Sequence, residues 1–159
     1  MTRATWMETV LTSAAISQLA SSPNWRSSGG IPFNPSSIVI INTGGARNGN
    51  SLAELIQTSG ANVLIGRTGE ATIISAGSST LAFAQDITPF STENMFIIAL
   101  ENDNEGEAYT SAQLNTCVSV VNAIRSHLSI EFVQIVEASR AIGDNITNPR
   151  GWDHEAFMS

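Results

Sequence analysis

The sequence contains no lysine. All seven of its positive charges are arginines, Arg3, Arg26, Arg47, Arg67, Arg125, Arg140 and Arg150, and they are scattered along the chain. Against them stand 14 acidic residues, for a net charge of −7. Nucleic-acid binding needs a basic stripe that neutralises phosphates and releases counterions, and none is visible. An anionic membrane surface is disfavoured for the same reason. Cysteine is nearly absent too: Cys117 is alone, so no internal disulfide can form, and its apolar helical setting reads as a small buried hydrophobe. No apolar run approaches the roughly 18 residues that cross a bilayer. The stretch from Val10 to Ala20 is broken by Thr12, Ser13, Ser17 and Gln18, follows Glu8, and makes a poor export signal.

Charged residues make up 13% of the chain, about half the usual share, with Ser, Thr, Asn and Gly in their place. Such a weakly charged polar surface suits a protein packed into an assembly. At 159 residues the chain fits one domain able to bury a full core without staples.

Hydrophobic patterning predicts alternating helices and strands. Residues 2–20 read as a short helix, with Thr5 and Glu8 at capping-box spacing and Trp6, Val10, Leu11, Ala14 and Leu19 on one face. Residues 21–36 are rich in Ser, Gly, Pro and Asn and read as loop. Ile38-Val39-Ile40-Ile41 is continuous rather than alternating, as expected of a strand covered on both faces. Ser51–Ser59 reads as a helix stopped by Gly60. Asn62–Gly66 and Glu70–Ser75 read as strands joined at Arg67-Thr68-Gly69, and Phe96–Leu100 as another buried strand. Thr110 caps the longest helix, with Gln113 at the capping-box position and Leu114, Cys117, Val118, Val121, Ile124 or Arg125, and Leu128 at helical spacing. Phe132–Val136 is a last strand. The expected architecture is α/β: a single central mixed β-sheet flanked by helices.

Several stretches, in order, resemble the amidase-2 family of phage endolysins and peptidoglycan recognition proteins over about residues 22–158. Ser22-Pro23-Asn24-Trp25 and Gly29-Gly30-Ile31 resemble the loop before the first core strand of actinobacteriophage endolysins. Ile38-Val39-Ile40-Ile41-Asn42-Thr43-Gly44-Gly45 resembles their I-V-I-H-H-T-G-G. Asn62 through Gly69 resembles Y-N-x-L-I-G-R-x-G, and Ser75-Ala76-Gly77 the A-A-G that follows. Ile98 through Asp103 resembles I-E-x-E-N-D, and Ala138 through Pro149 has the length of G-H-R-E…D-P. The resemblance implies the amidase-2/peptidoglycan-recognition-protein fold, with residues 22–159 as the amidase-like domain and residues 1–21 as an N-terminal helix or docking arm.

The same resemblance locates a zinc site, because family amidases hold zinc with two imidazoles and a carboxylate or thiolate and leave one position for water. The three ligand positions fall on Ile41, Ser139 and Asn148, none of which supplies the family donor. Asn42, next to the first, offers only a weak amide oxygen. The groove positions fall on Ala61 for the tyrosine, Leu81 for a histidine and Ala99 for a glutamate. The expectation from sequence is therefore a chain with no metal, no cofactor and no catalytic residues, not an enzyme.

Other groups offer no substitute site. His127 reads as a helix C-terminal residue, and Asp153-His154-Glu155 as a solvated tail. Asp103, Glu105 and Glu107 alternate like calcium ligands but lack the glutamate at the twelfth position. Gly44, Gly45 and Gly49 precede no phosphate-loop lysine. The function expected is a structural component of a phage virion (head decoration, minor capsid or tail protein) whose partners are other virion proteins and copies of itself. The alternative is a non-catalytic peptidoglycan- or muropeptide-binding protein. The expected location is the virion, or alternatively the cytoplasm of the infected bacterium, with neither nucleic acid nor membrane as a partner.

Overall fold

The computed structural model describes residues 3–14, 16, 18–42, 60–79, 92–101, 108–130 and 133–135. The apolar run at its centre forms β2 (Ser37–Asn42), where Ile38 to Ile41 are all at most 1% exposed. A strand so fully apolar must be covered on both faces, and β5 (Met95–Leu100) beside it is likewise buried at every position. Around this pair lie β1 (Leu19–Ser21), β3 (Val63–Ile65), β4 (Ala71–Ile73) and β6 (Val133–Ile135). The sheet order is β1-β4-β3-β5-β2-β6, mixed, with β3 and β4 antiparallel and every other neighbouring pair parallel. The α/β class and single mixed sheet expected from the sequence are what the chain forms.

Strand alternation gives the sheet two different faces. Ile38, Ile40, Val63, Ile65, Ala71, Ile73, Phe96, Ile98 and Leu100 pack into one apolar cluster. Helix α2 (Ser111–Leu128) covers that face with Cys117, Val120, Val121 and Ile124. Its start carries the expected reciprocal capping box: the Gln113 backbone N–H donates to Thr110 Oγ1 at 3.0 Å, and the Thr110 N–H donates to Gln113 Oε1 at 3.1 Å. Val118, read as core from its spacing, is instead 41% exposed, and Val120 takes the inward position.

The N-terminal segment differs from the long helix expected. Helix α1 spans only Met7–Ser13, and its N-cap is Trp6, with no side-chain cap bond, rather than the Thr5–Glu8 box. Leu19–Ser21 leaves helical geometry because β4 offers its backbone a parallel ladder, flanked by Ala71 N–H to Gln18 O and Ser22 N–H to Ile73 O bonds of 2.9 and 2.8 Å. Ala4, Met7 and Leu11 are buried in the same cluster as the sheet and α2, and Trp6 stacks on His127 with ring centroids 4.3 Å apart. The helix expected over Ser51–Ser59 lies outside the described residues. Among the described residues no helix is long and apolar enough to cross a membrane.

Candidate functional site

The second face of the sheet carries the positions that the motifs single out. Ile41 on β2 pairs with Ala99 on β5, Ala99 with Leu64 on β3, and Leu64 with Thr72 on β4. Being one residue out of phase with the α2-facing cluster, these four side chains form a row on the opposite face. The row grades from buried Ile41 and Ala99, at 1% and 0% exposure, to half-buried Leu64 and Thr72. Ala99 contributes only a methyl group between two larger neighbours, so the row is lowest there.

The structure thus brings together two of the sequence-selected positions, Ile41 and Ala99. Ala61 is buried just before β3, and Asn42 closes β2 opposite Leu100. Leu81, Ser139 and Asn148 lie outside the described residues. The zinc implied by the family resemblance requires lone pairs, and Ile41 at the first ligand position has none. Among the described residues no group of three His, Cys, Asp or Glu side chains comes together, and His127 lies on α2 against Trp6, beyond the other face of the sheet. The described residues do not fit a zinc ion, and no chemical step is derived through one.

Two buried polar residues tie the sheet together, Asn62 before β3 and Gln113 at the start of α2 on the other face, and neither stood out in the sequence as more than a motif match or a cap. Asn62 is completely buried. Its side-chain amide donates to Ser75 O and Gly77 O at 3.0 and 2.8 Å, while its carbonyl accepts from Ile97 N–H at 2.8 Å. Gln113, also completely buried, donates to Glu101 O at 2.8 Å and accepts from Arg67 Nη1 at 3.0 Å. Arg67 in turn donates to Ala108 O at 2.9 Å, and Thr110 Oγ1 donates to Arg67 O at 2.7 Å. The signal available for both was a polar residue inside an apolar stripe, which must be hydrogen-bonded if it is buried. Cys117, wholly buried under the sheet, has its thiol pushed far up from the ordinary value by desolvation, so it is no nucleophile.

No family model matches the chain, and no curated protein matches it. Solved structures do. The endolysine N-acetylmuramoyl-L-alanine amidase LysCS from Clostridium intestinale URNW superposes with a TM-score of 0.62 at 15% identity, covering 91% of this chain and 95% of that one. The N-acetylmuramoyl-L-alanine amidase LysC from the same organism gives 0.60 at 16% identity, over 88% and 94%. PGRP-Hd from Alvinella pompejana gives 0.51 at 12% identity, over 81% and 91%. At these identities the likeness establishes the fold: this chain has the amidase-2 fold, spanning nearly the whole of each relative.

One expectation is corrected by this finding. The sequence pointed to a chain that is not an enzyme, yet the structures that superpose best on nearly all of it among those named above are amidases. The expectation depended on placing three ligands by motif, and two of those positions, Ser139 and Asn148, lie where the structure describes nothing.

Proposed function

We propose that this protein is directed at peptidoglycan, engaging a muropeptide on the sheet face that carries Ile41, Ala99, Leu64 and Thr72. The observation behind the proposal is that row: an uncharged strip lowest at Ala99, set in an amidase-2 sheet. A muropeptide presents methyl, lactyl and N-acetyl groups together with peptide N–H and C=O groups. Half-buried Leu64 offers apolar contact to the former, and the half-buried Thr72 hydroxyl can donate or accept with the latter, with Ile41 and Ala99 buried in the sheet beside them. The phage-virion location, with virion proteins and self-association as partners, rests on the endolysin-like motifs alone and has no structural observation behind it.

The test uses the full chain and purified peptidoglycan. Co-sedimentation and titration with a disaccharide-tetrapeptide muropeptide report binding. Mass spectrometry of the supernatant, with added zinc and with chelator, reports release of stem peptides. Binding with release assigns amide hydrolysis to the chain, and binding without release assigns recognition. Absence of both refutes a peptidoglycan-directed role.

A further inference from the structure

We infer that Asn62 is a positioning residue for this face, setting the register that places Leu64 and Ala99 side by side on the muropeptide side of the sheet; the inference rests on the functional reading above. Asn62 precedes β3 and uses every strong hydrogen-bonding group it has. Its backbone N–H donates to Ile97 O at 2.9 Å, and its side-chain carbonyl accepts the Ile97 N–H at 2.8 Å, so the side chain completes the β3–β5 ladder where backbone pairing ends. Both side-chain N–H groups are taken by Ser75 O and Gly77 O, and its backbone carbonyl accepts from Ile74 N–H at 2.8 Å. Two carbonyl partners and one N–H partner leave a single consistent orientation of the amide.

The segment held this way is itself fixed. Gly77 runs so close to the loop at Gly29 that a Cβ on it would lie 2.6 Å from the Gly29 carbonyl carbon. Gly30 and Ser78 exchange backbone bonds of 3.0 and 2.9 Å, and Ser79 Oγ donates to Gly60 O at 2.7 Å, next to Ala61. Asn62 therefore joins β5 to an anchored segment, and β3 starts at one place only. Register matters here because a slip of one residue would send Leu64 to the α2 side and bring an α2-facing residue into the row. Val63, Leu64 and Ile65 are apolar and add no side-chain hydrogen bond of their own, so Asn62 is the residue at the start of β3 whose side-chain bonds fix where the strand begins.

The experiment compares Asn62→Asp, which keeps the shape and the acceptor but loses both donors, with Val120→Ala, which opens the core on the other face. Asn62→Ala, which removes the side-chain partner of Ser75 O, Gly77 O and Ile97 N–H, is a second variant, and Asn62→Asp carries the test if it does not fold. For each folded variant, melting temperature, muropeptide dissociation constant and hydrogen exchange at the Ile97, Leu64 and Ala99 amides are measured. Expected is a dissociation constant at least tenfold weaker for Asn62→Asp, with faster exchange at those amides, and a change under threefold for Val120→Ala despite a comparable loss of melting temperature. Equal weakening in both variants, or wild-type affinity in Asn62→Asp, overturns the positioning role and leaves the functional reading intact. A wild-type chain that binds no muropeptide instead fails the functional reading, and this inference falls with it.

Discussion

Gln113→Ala is the most informative single perturbation of the frame around the site. Gln113 sits at the third position of α2 and is completely buried, and its side chain ties together four places: Thr110 N–H, Glu101 O, Arg67 Nη1 and, more weakly at 3.4 Å, Ile65 O. Truncation removes half of the capping box, a loss of about 1 kcal/mol. It also strands Glu101 O, costing about 1–3 kcal/mol where no water replaces the lost partner. Arg67 keeps its bond to Ala108 O and is half-buried, so its share is small. The sum is about 3 kcal/mol, a large part of the stability of a domain this size. Urea denaturation followed by helical circular dichroism measures it. Thr110→Ser, which keeps the capping oxygen, is expected within about 0.5 kcal/mol of wild type. A double-mutant cycle with Arg67→Ala, 46 positions away in sequence, should show coupling of about 0.5–2 kcal/mol. A loss below about 1 kcal/mol for Gln113→Ala would mean that the residue is only a helix cap, and the description of a buried junction would be wrong.

Two further outcomes follow from burial. Burial raises the Cys117 thiol above its ordinary value of about 9.0, so it stays protonated in the fold when the unfolded chain already ionises; stability is fully present below about pH 9 and declines as pH rises further, and Cys117→Ala should flatten that decline in pH-dependent denaturation. Leu11→Ala, emptying a wholly buried position of α1, should cost about 2–5 kcal/mol in a single cooperative transition, whereas a separate early transition would show that the N-terminal segment folds on its own.

Much of the fold was legible because burial leaves a mark on composition. Ile38-Val39-Ile40-Ile41 reads as a doubly covered strand, and both its faces are covered. Thr110 with Gln113 reads as a helix start, and the reciprocal bonds are there. The phase of α2 was misread because its inward stripe begins with a polar residue. Gln113, Cys117, Val120, Val121 and Ile124 lie together, but a periodicity search that expects apolar residues starts from Leu114 and rotates Val118 inward. Strand β1 was illegible for a different reason. Leu19-Ala20-Ser21 has no strand propensity of its own, and becomes a strand because β4, distant in sequence at Ala71–Ile73, offers parallel ladder bonds. Pairing of Ile41 with Ala99 was likewise invisible, since parallel neighbours are set by crossover connections and not by anything local.

What recognition this face can achieve is constrained by where the arginines are. Peptidoglycan stems carry carboxylates, and an arginine fork is the usual means of holding one. The described arginines are already engaged with the protein: Arg3 with Gly29 O, Arg26 with Glu8 and the Trp25 ring, Arg67 with Gln113 and Ala108 O, and Arg125 with Ile130 O. The row itself has no charged member. At the nearby end of β3, the Glu70 and Glu101 side chains both approach Gly66, with oxygens 3.0 and 3.5 Å from where its Cβ would be. A carboxylate ligand is therefore repelled at that end and gains no ion pair from the floor. Among the described residues, the proposed muropeptide contact would draw on neutral groups at Leu64 and Thr72, whose placement depends on the register of β3 against β5 and hence on Asn62.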